Sequence, residues 1–137
     1  EKHFEAEDFE KDLQYLKHKV DVGGEYIVTQ MFFDNKKFFE FVKRCREIGI
    51  KVPIVPGLKP ISTLRHMEIL PEIFYTELPE DLMKELKKCK DNKAVKEVGI
   101  EWGIQQCKEL VEAKVPCLHF YTMGRSETTR RIAEGVF

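Results

Sequence analysis

Short β-rich runs alternate with helical periodicity along this chain, and each run ends on a polar or turn-forming group. The runs lie within Glu25–Asp34, Val52–Pro60 and Cys117–Arg125. Before the first, Phe9, Leu13, Leu16 and Val20 recur at helical spacing, with Asp8 placed to cap that helix and Gly23-Gly24 to end it. Tyr26 to Thr29 reads as a strand, and Asn35 is expected to cap a second helix that Gly49 stops. Val52 to Val55 is a second strand, closed by a Pro56-Gly57 turn. Ser62 can cap a helix through about Leu70, whereas Pro71 to Thr76 is ambiguous and fits a short strand. Pro79 suits the first turn of another helix, with Glu80 and Asp81 beside its positive end. Lys93 to Ala113 reads as one long helix whose Gly99 and Gly103 imply close helix–sheet packing. Cys117 to Tyr121 is the last strand, and Ser126 caps the final helix.

Strands alternating with helices argue for βα units on a parallel sheet. Three or four such units make about half of a (β/α)₈ barrel, which needs about 250 residues, against 137 here. The expected fold class is therefore α/β, a (β/α)₈ TIM barrel, with residues 1–137 forming a single partial domain, roughly its C-terminal half. A half barrel leaves two unpaired strand edges. Either the missing N-terminal half of the same barrel covers them or another copy does, and a homo-oligomer is expected. The chain starts at Glu1 without an initiator Met, which predicts that it begins inside a longer one.

The formal net charge of -1 gives no electrostatic case for nucleic acid or an anionic membrane as partner. No apolar run approaches the roughly 20 residues that span a bilayer, and the first eight residues lack the apolar stretch of a signal peptide. Cys45, Cys89, Cys107 and Cys117 have no C-x-x-C spacing, so reduced, mostly buried thiols in a cytoplasmic protein are expected. His3, His66 and His119 follow no metal-ligand spacing, and no metal site is expected.

In a parallel barrel, ligands bind at the C-terminal ends of the strands. Gln30, the Pro56-Gly57 turn and Arg125 should then face one site. Gln30 offers a carbonyl and an NH₂, which can hold a heterocycle with a donor beside an acceptor, or simply bond a neighbouring loop. Arg125 can pair with a carboxylate or phosphate of a ligand, or with Glu127. Tyr121 carries a flat face with a hydroxyl tip, and such residues most often pack at a core or rim. Asp12, Tyr15, His18 and Lys19 fall on adjacent faces of the first helix, suited either to ribose and phosphate oxygens or to plain solvation.

Four motifs carry a family resemblance. Asp12-x-x-x-Leu16-x-x-Lys19-Val20-x-x-Gly23-Gly24, Ile27-Val-Thr-Gln-Met-Phe-Phe-Asp34, Pro53-Ile-Val-Pro-Gly-Leu-Lys-Pro-Ile61 and His119-Phe-Tyr-Thr-Met-Gly-Arg125 together resemble methylenetetrahydrofolate reductase, in the right order and with matching gaps. The opening Glu1-Lys-His-Phe-Glu-Ala6 is similar to the end of that family's Y-P-x-x-H-P-E-A segment. The resemblance implies a flavoprotein barrel that reduces 5,10-methylenetetrahydrofolate to 5-methyltetrahydrofolate, with hydride passing from NADH or NADPH through FAD, in one-carbon metabolism and methionine synthesis.

By the same resemblance, Gln30 would contact the pterin and the nicotinamide. His66, where the family often has Gln, and Arg125 with Tyr121 nearby would contact substrate. Leu70 would lie beside the folate's aminobenzoate. His3, Ala6, Asp12, Tyr15, His18 and Lys19 match FAD-contacting positions. Phe4 replaces a usual Pro, and Gly124 stands where Asn or Asp is common. The family's general-acid Glu and the Asp that tunes the flavin belong upstream of this chain, so no catalytic residue is expected within it, and the isolated chain should be inactive. Two other readings stand beside this one: a non-catalytic folate- or flavin-binding paralogue, and a half-barrel scaffold.

Overall fold

The computed structural model describes residues 8–137. Three parallel strands, β1 (Ile27–Met31), β2 (Ile54–Leu58) and β3 (His119–Phe120), pair in sequence order. Helix α1 (Phe9–Asp21) precedes β1, and α2 (Asn35–Glu47) links β1 to β2. Helices α3 (His66–Phe74), α4 (Glu80–Lys88) and α5 (Asn92–Glu112) lie between β2 and β3, and α6 (Glu127–Val136) follows β3. The α/β class and the parallel sheet agree with the expectation from the sequence.

Local chemistry sets most boundaries. The Asp8 carboxylate accepts from the Lys11 N–H at 2.8 Å, satisfying one of the free donors at the start of α1. Asp34, rather than Asn35, caps α2: its side chain accepts from the Lys36 N–H, while Asn35 is already helical and buried. Asp91 caps α5 through the Ala94 N–H. Ser126 precedes α6 as expected but makes no side-chain capping bond.

Two expectations are overturned by the chain's punctuation residues. Pro56 and Gly57 do not form a turn; both lie inside β2, which runs to Leu58 and is buried throughout. A central strand tolerates Pro only where the ladder does not need its N–H. Here the β1–β2 register is irregular between Val28 and Met31, opposite this point. The Gly57 N–H donates instead to the Thr29 hydroxyl at 2.9 Å. Pro71 likewise does not open a strand. It sits inside α3, which continues to Phe74 and ends at Tyr75 in a left-handed conformation (φ 54°). Pro71 lacks the N–H for one helical hydrogen bond and its ring crowds the carbonyl of Met67 one turn back, yet the helix continues through it, with Leu70 beside it buried in the core.

One core cluster joins Leu13, Phe38, Cys45, Ile54, Leu58, Leu110 and Ile132, drawn from α1, α2, β2, α5 and α6. The second joins Met31, Phe33, Ile61, Leu70, Leu82, Leu86 and Val95. Helix α5 serves both. Gly99 is required there because a Cβ would stand 1.9 Å from the Ile61 carbonyl oxygen, so the helix packs on the loop after β2. Gly103 meets the Ile132 side chain of α6, not the sheet. Cys45 and Cys107 are buried, Cys89 is half-buried and Cys117 is exposed; all four are free thiols. Burial pushes the Cys45 and Cys107 thiols up to about 11. Among the described residues no helix is long and apolar enough to cross a membrane.

Candidate functional site at the C-terminal ends of the strands

The C-terminal edge of the sheet is braced from behind by α5. Trp102 Nε1–H donates to the Phe33 carbonyl at 3.1 Å and the Gln106 amide donates to the Phe32 carbonyl at 3.0 Å. The Asn35 amide donates to the Gln106 carbonyl at 3.0 Å and to Glu109 Oε2 at 2.8 Å. These bonds fix the segment just past β1 and therefore the position of Gln30. The sequence motifs do not reveal this bracing, because its partners are some seventy residues apart in the chain.

Gln30 is exposed at the end of β1. Its Oε1 accepts from the Met31 N–H at 3.0 Å, which fixes the amide and leaves the NH₂ without a partner among the described residues. The free outer edge of β1, α1 and α2 border an open groove of about 840 Å³, into which Gln30 and Asp12 both face. Along its walls lie Leu16, Phe38, Phe41 and Tyr75. Tyr15, His18 and Lys19 are exposed on α1 but do not line this groove. His3 and Ala6 lie outside the described residues.

Tyr121 has a structural task. Its hydroxyl donates to the Thr29 carbonyl at 2.9 Å, crossing over β2 from β3 to β1. Only a glycine at position 57 permits this: a Cβ there would stand 2.2 Å from the Thr29 carbonyl oxygen and 2.8 Å from Tyr121 Cε2. The His119 ring packs edge-on against Tyr121 with centroids 4.7 Å apart. Leu70 is 1% exposed and belongs to the core beneath the site, not to its wall.

A basic cluster occupies the ends of β2 and β3. Lys59 follows β2 directly and is half-buried, and Arg125 lies exposed in the turn after β3. His66 begins α3, and its Nδ1 accepts from the Ser62 N–H at 3.1 Å. In the neutral ring the proton then sits on Nε2, which is left to donate. Burial, then the charges of Lys59 and Arg125, hold His66 below its ordinary pKa. Burial and Arg125 likewise lower Lys59. Glu127, the acid that sequence offers to Arg125, pairs with Lys96 at 3.1 Å. Among the described residues no carboxylate pairs with Lys59 or Arg125. Nothing in the sequence singles out Lys59 as a site residue. A lysine between Leu58 and Pro60 looks like ordinary loop chemistry until strand pairing brings it beside the loop that carries Arg125.

The sheet edge thus carries a fixed amide on β1, a lysine after β2, and a tyrosine and an arginine after β3. Gln30 and Arg125 share this edge but lie two strands apart, and Gln30 alone of the two borders the groove. Among the described residues no group of His, Cys, Asp or Glu side chains could hold a metal ion.

The sequence model of the family described as methylenetetrahydrofolate reductase matches residues 1–136. The chain belongs to the methylenetetrahydrofolate reductase family. A probable methylenetetrahydrofolate reductase (NADPH) of Caenorhabditis elegans is 36% identical over 136 residues, covering 98% of this chain and 20% of that protein. Methylenetetrahydrofolate reductase (NADH) 1 of Arabidopsis thaliana is 42% identical over 119 residues, covering 86% of this chain and 20% of that protein. A 5,10-methylenetetrahydrofolate reductase of Pectobacterium carotovorum is 34% identical over 134 residues, covering 96% of this chain and 45% of that protein. The chain therefore spans about a fifth of the length of the first two relatives and under half of the third. Among solved structures, an uncharacterized protein from Clostridium thermocellum, described as binding two copies of 5-methyl-5,6,7,8-tetrahydrofolic acid, superposes with a TM-score of 0.58 at 18% identity. That match covers 93% of this chain and 47% of the other, and it bears on the fold alone.

Proposed function

We propose that this chain is the C-terminal half of the (β/α)₈ barrel of an FAD-dependent methylenetetrahydrofolate reductase, and that it supplies the folate-binding wall and part of the FAD-binding wall. The observation that carries the reading is family membership along residues 1–136, joined to a sheet edge whose unpartnered groups suit a folate. The Gln30 amide, fixed through Oε1, keeps an NH₂ for the ring acceptors of a pterin or for a nicotinamide amide. Arg125 and His66 supply donors for the substrate's acyl and carboxylate oxygens. Tyr121 positions the site by tying β3 to β1.

The open edge of β1 and the groove beside it suit the missing N-terminal half of the barrel together with FAD. Asp12 borders that groove, where a carboxylate fits ribose hydroxyls, and the exposed Lys19 on the same helix offers a cation for phosphate oxygens. His18 and Tyr15 complete that exposed face, and His3 and Ala6 are assigned to the same cofactor by resemblance. FAD, when bound, carries hydride from NADH or NADPH to the folate. This chain's part is to orient the pterin through Gln30 and to hold the substrate's acidic end through Arg125. By resemblance to the family, the general acid is a Glu of the upstream half. A cytoplasmic location and a homo-oligomeric assembly go with this reading.

The test is the whole protein's absorbance spectrum and its turnover of 5,10-methylenetetrahydrofolate. A bound-flavin spectrum together with formation of 5-methyltetrahydrofolate is expected. A colourless, FAD-free whole protein would sink the flavoenzyme reading. Folate reduction by residues 1–137 alone would overturn the division of labour.

A further inference from the structure

Two cations, Lys59 and Arg125, are held at the ends of adjacent strands, and among the described residues neither pairs with an acid. Lys59 leaves β2 at Leu58, which pairs with Phe120, and Arg125 follows five residues beyond Phe120. A half-buried lysine beside an arginine is electrostatically unfavourable without a counter-charge. Elsewhere on this chain cations find acids: Arg131 grips Glu97 with two bonds of 2.7 Å, and Lys96 meets Glu127. Lys59 and Arg125 do not, among the described residues. His66, near enough to feel both charges, keeps its Nε2–H to donate, because its Nδ1 already accepts from the Ser62 N–H.

We propose that Lys59 is a further ligand-binding residue: with Arg125 it clamps a carboxylate of the bound folate, and His66 adds a neutral N–H donor to the same oxygens. The inference rests on the folate-binding reading above. It deepens that reading by naming the lysine that joins Arg125 at the acidic end of the ligand. A bound carboxylate removes the repulsion between the two cations, so Lys59 is easier to keep protonated with ligand than without it. The charged groups facing Lys59 are Arg125 and, when protonated, His66. Both act in the same direction. Affinity for the carboxylate ligand therefore falls as pH rises through the lowered titration range of Lys59, on the acid side of 10.5. His66 works as a donor and not as a charge, so Gln at position 66 should replace it and Phe should not.

The experiment is equilibrium binding of 5-methyltetrahydrofolate to the whole protein, with a tetrahydropterin lacking the aminobenzoyl-glutamate group and NADH as companion probes. Lys59→Met is expected to weaken 5-methyltetrahydrofolate binding on the order of tenfold, to reduce the salt dependence of binding, and to leave the pterin probe unchanged. Lys59→Arg should keep the affinity and abolish its alkaline decline, because guanidinium stays charged. If Lys59→Met fails to fold, the Lys59→Arg pH profile and the His66→Gln and His66→Phe pair carry the test. Wild-type binding that Lys59→Met leaves unaltered would overturn this inference and spare the functional reading. Loss confined to NADH would assign the clamp to phosphate oxygens and overturn the folate assignment. Failure of the wild-type whole protein to bind the folate would overturn the functional reading and this inference with it.

Discussion

Replacing Gly57 by Ala tests how the sheet edge is held together. The added Cβ would stand 2.2 Å from the Thr29 carbonyl oxygen and 2.8 Å from the Tyr121 ring. The first neighbour is backbone of a paired strand and cannot swing away, whereas the second belongs to a side chain. Overpacking a filled site costs about 1–3 kcal/mol. Displacing Tyr121 from its 2.9 Å bond to Thr29 adds about 1 kcal/mol. Gly57→Ala is thus expected to destabilise the whole protein by about 2–4 kcal/mol, read by urea denaturation or as a lowered Tm. Tyr121→Phe removes only the hydrogen bond and should cost about 1 kcal/mol. The double variant Gly57→Ala/Tyr121→Ala separates the two contacts. Because the nearer obstacle is the Thr29 carbonyl, deleting the ring should not restore stability. A Gly57→Ala protein within about 0.5 kcal/mol of wild type, or one rescued by Tyr121→Ala, would refute this account of the close approach.

Asn35→Asp should destabilise by about 2–3 kcal/mol in denaturant unfolding, because it turns a donor facing the Gln106 carbonyl and Glu109 into a second acceptor. Gly99→Ala should be at least as damaging as Gly57→Ala, since its Cβ meets the Ile61 carbonyl oxygen at 1.9 Å; a near-neutral result would show that α5 can lift off that loop. His66 is held below its ordinary value of 6.5, so the unfolded chain takes up its proton first as pH falls. Stability should therefore decline as pH drops from about 6.5 through the lowered range, and His66→Gln should remove that part of the slope in melts recorded across pH.

Much of the fold is legible in the sequence because amphipathic period and caps coincide. Asp8 precedes a helical run, and α1 begins where that signal stands. Reading fails where a breaker residue is absorbed by tertiary structure. Pro56-Gly57 looks like a turn, yet it lies in β2 because the register irregularity and the Thr29 hydroxyl meet the backbone's needs there. Pro71 looks like a helix stop, yet α3 passes through it. At the site, Gln30 and Arg125 stand out as polar groups at strand ends. Lys59 does not, since its meaning depends on an arginine sixty-six residues later and on the lack of an acid partner for either among the described residues. Leu70 and Tyr121 are found by resemblance, but their burial and bonding give them structural work that motif comparison does not convey.

The central claim is that the C-terminal edge of this sheet is a folate-binding wall. Its most direct test is the equilibrium affinity of the whole protein for 5-methyltetrahydrofolate with Arg125→Ala and Gln30→Ala, beside an unrelated surface control, Lys84→Ala. The account predicts a loss on the order of tenfold for each site variant and none for the control, with flavin content retained. Affinity that neither site substitution changes would contradict it.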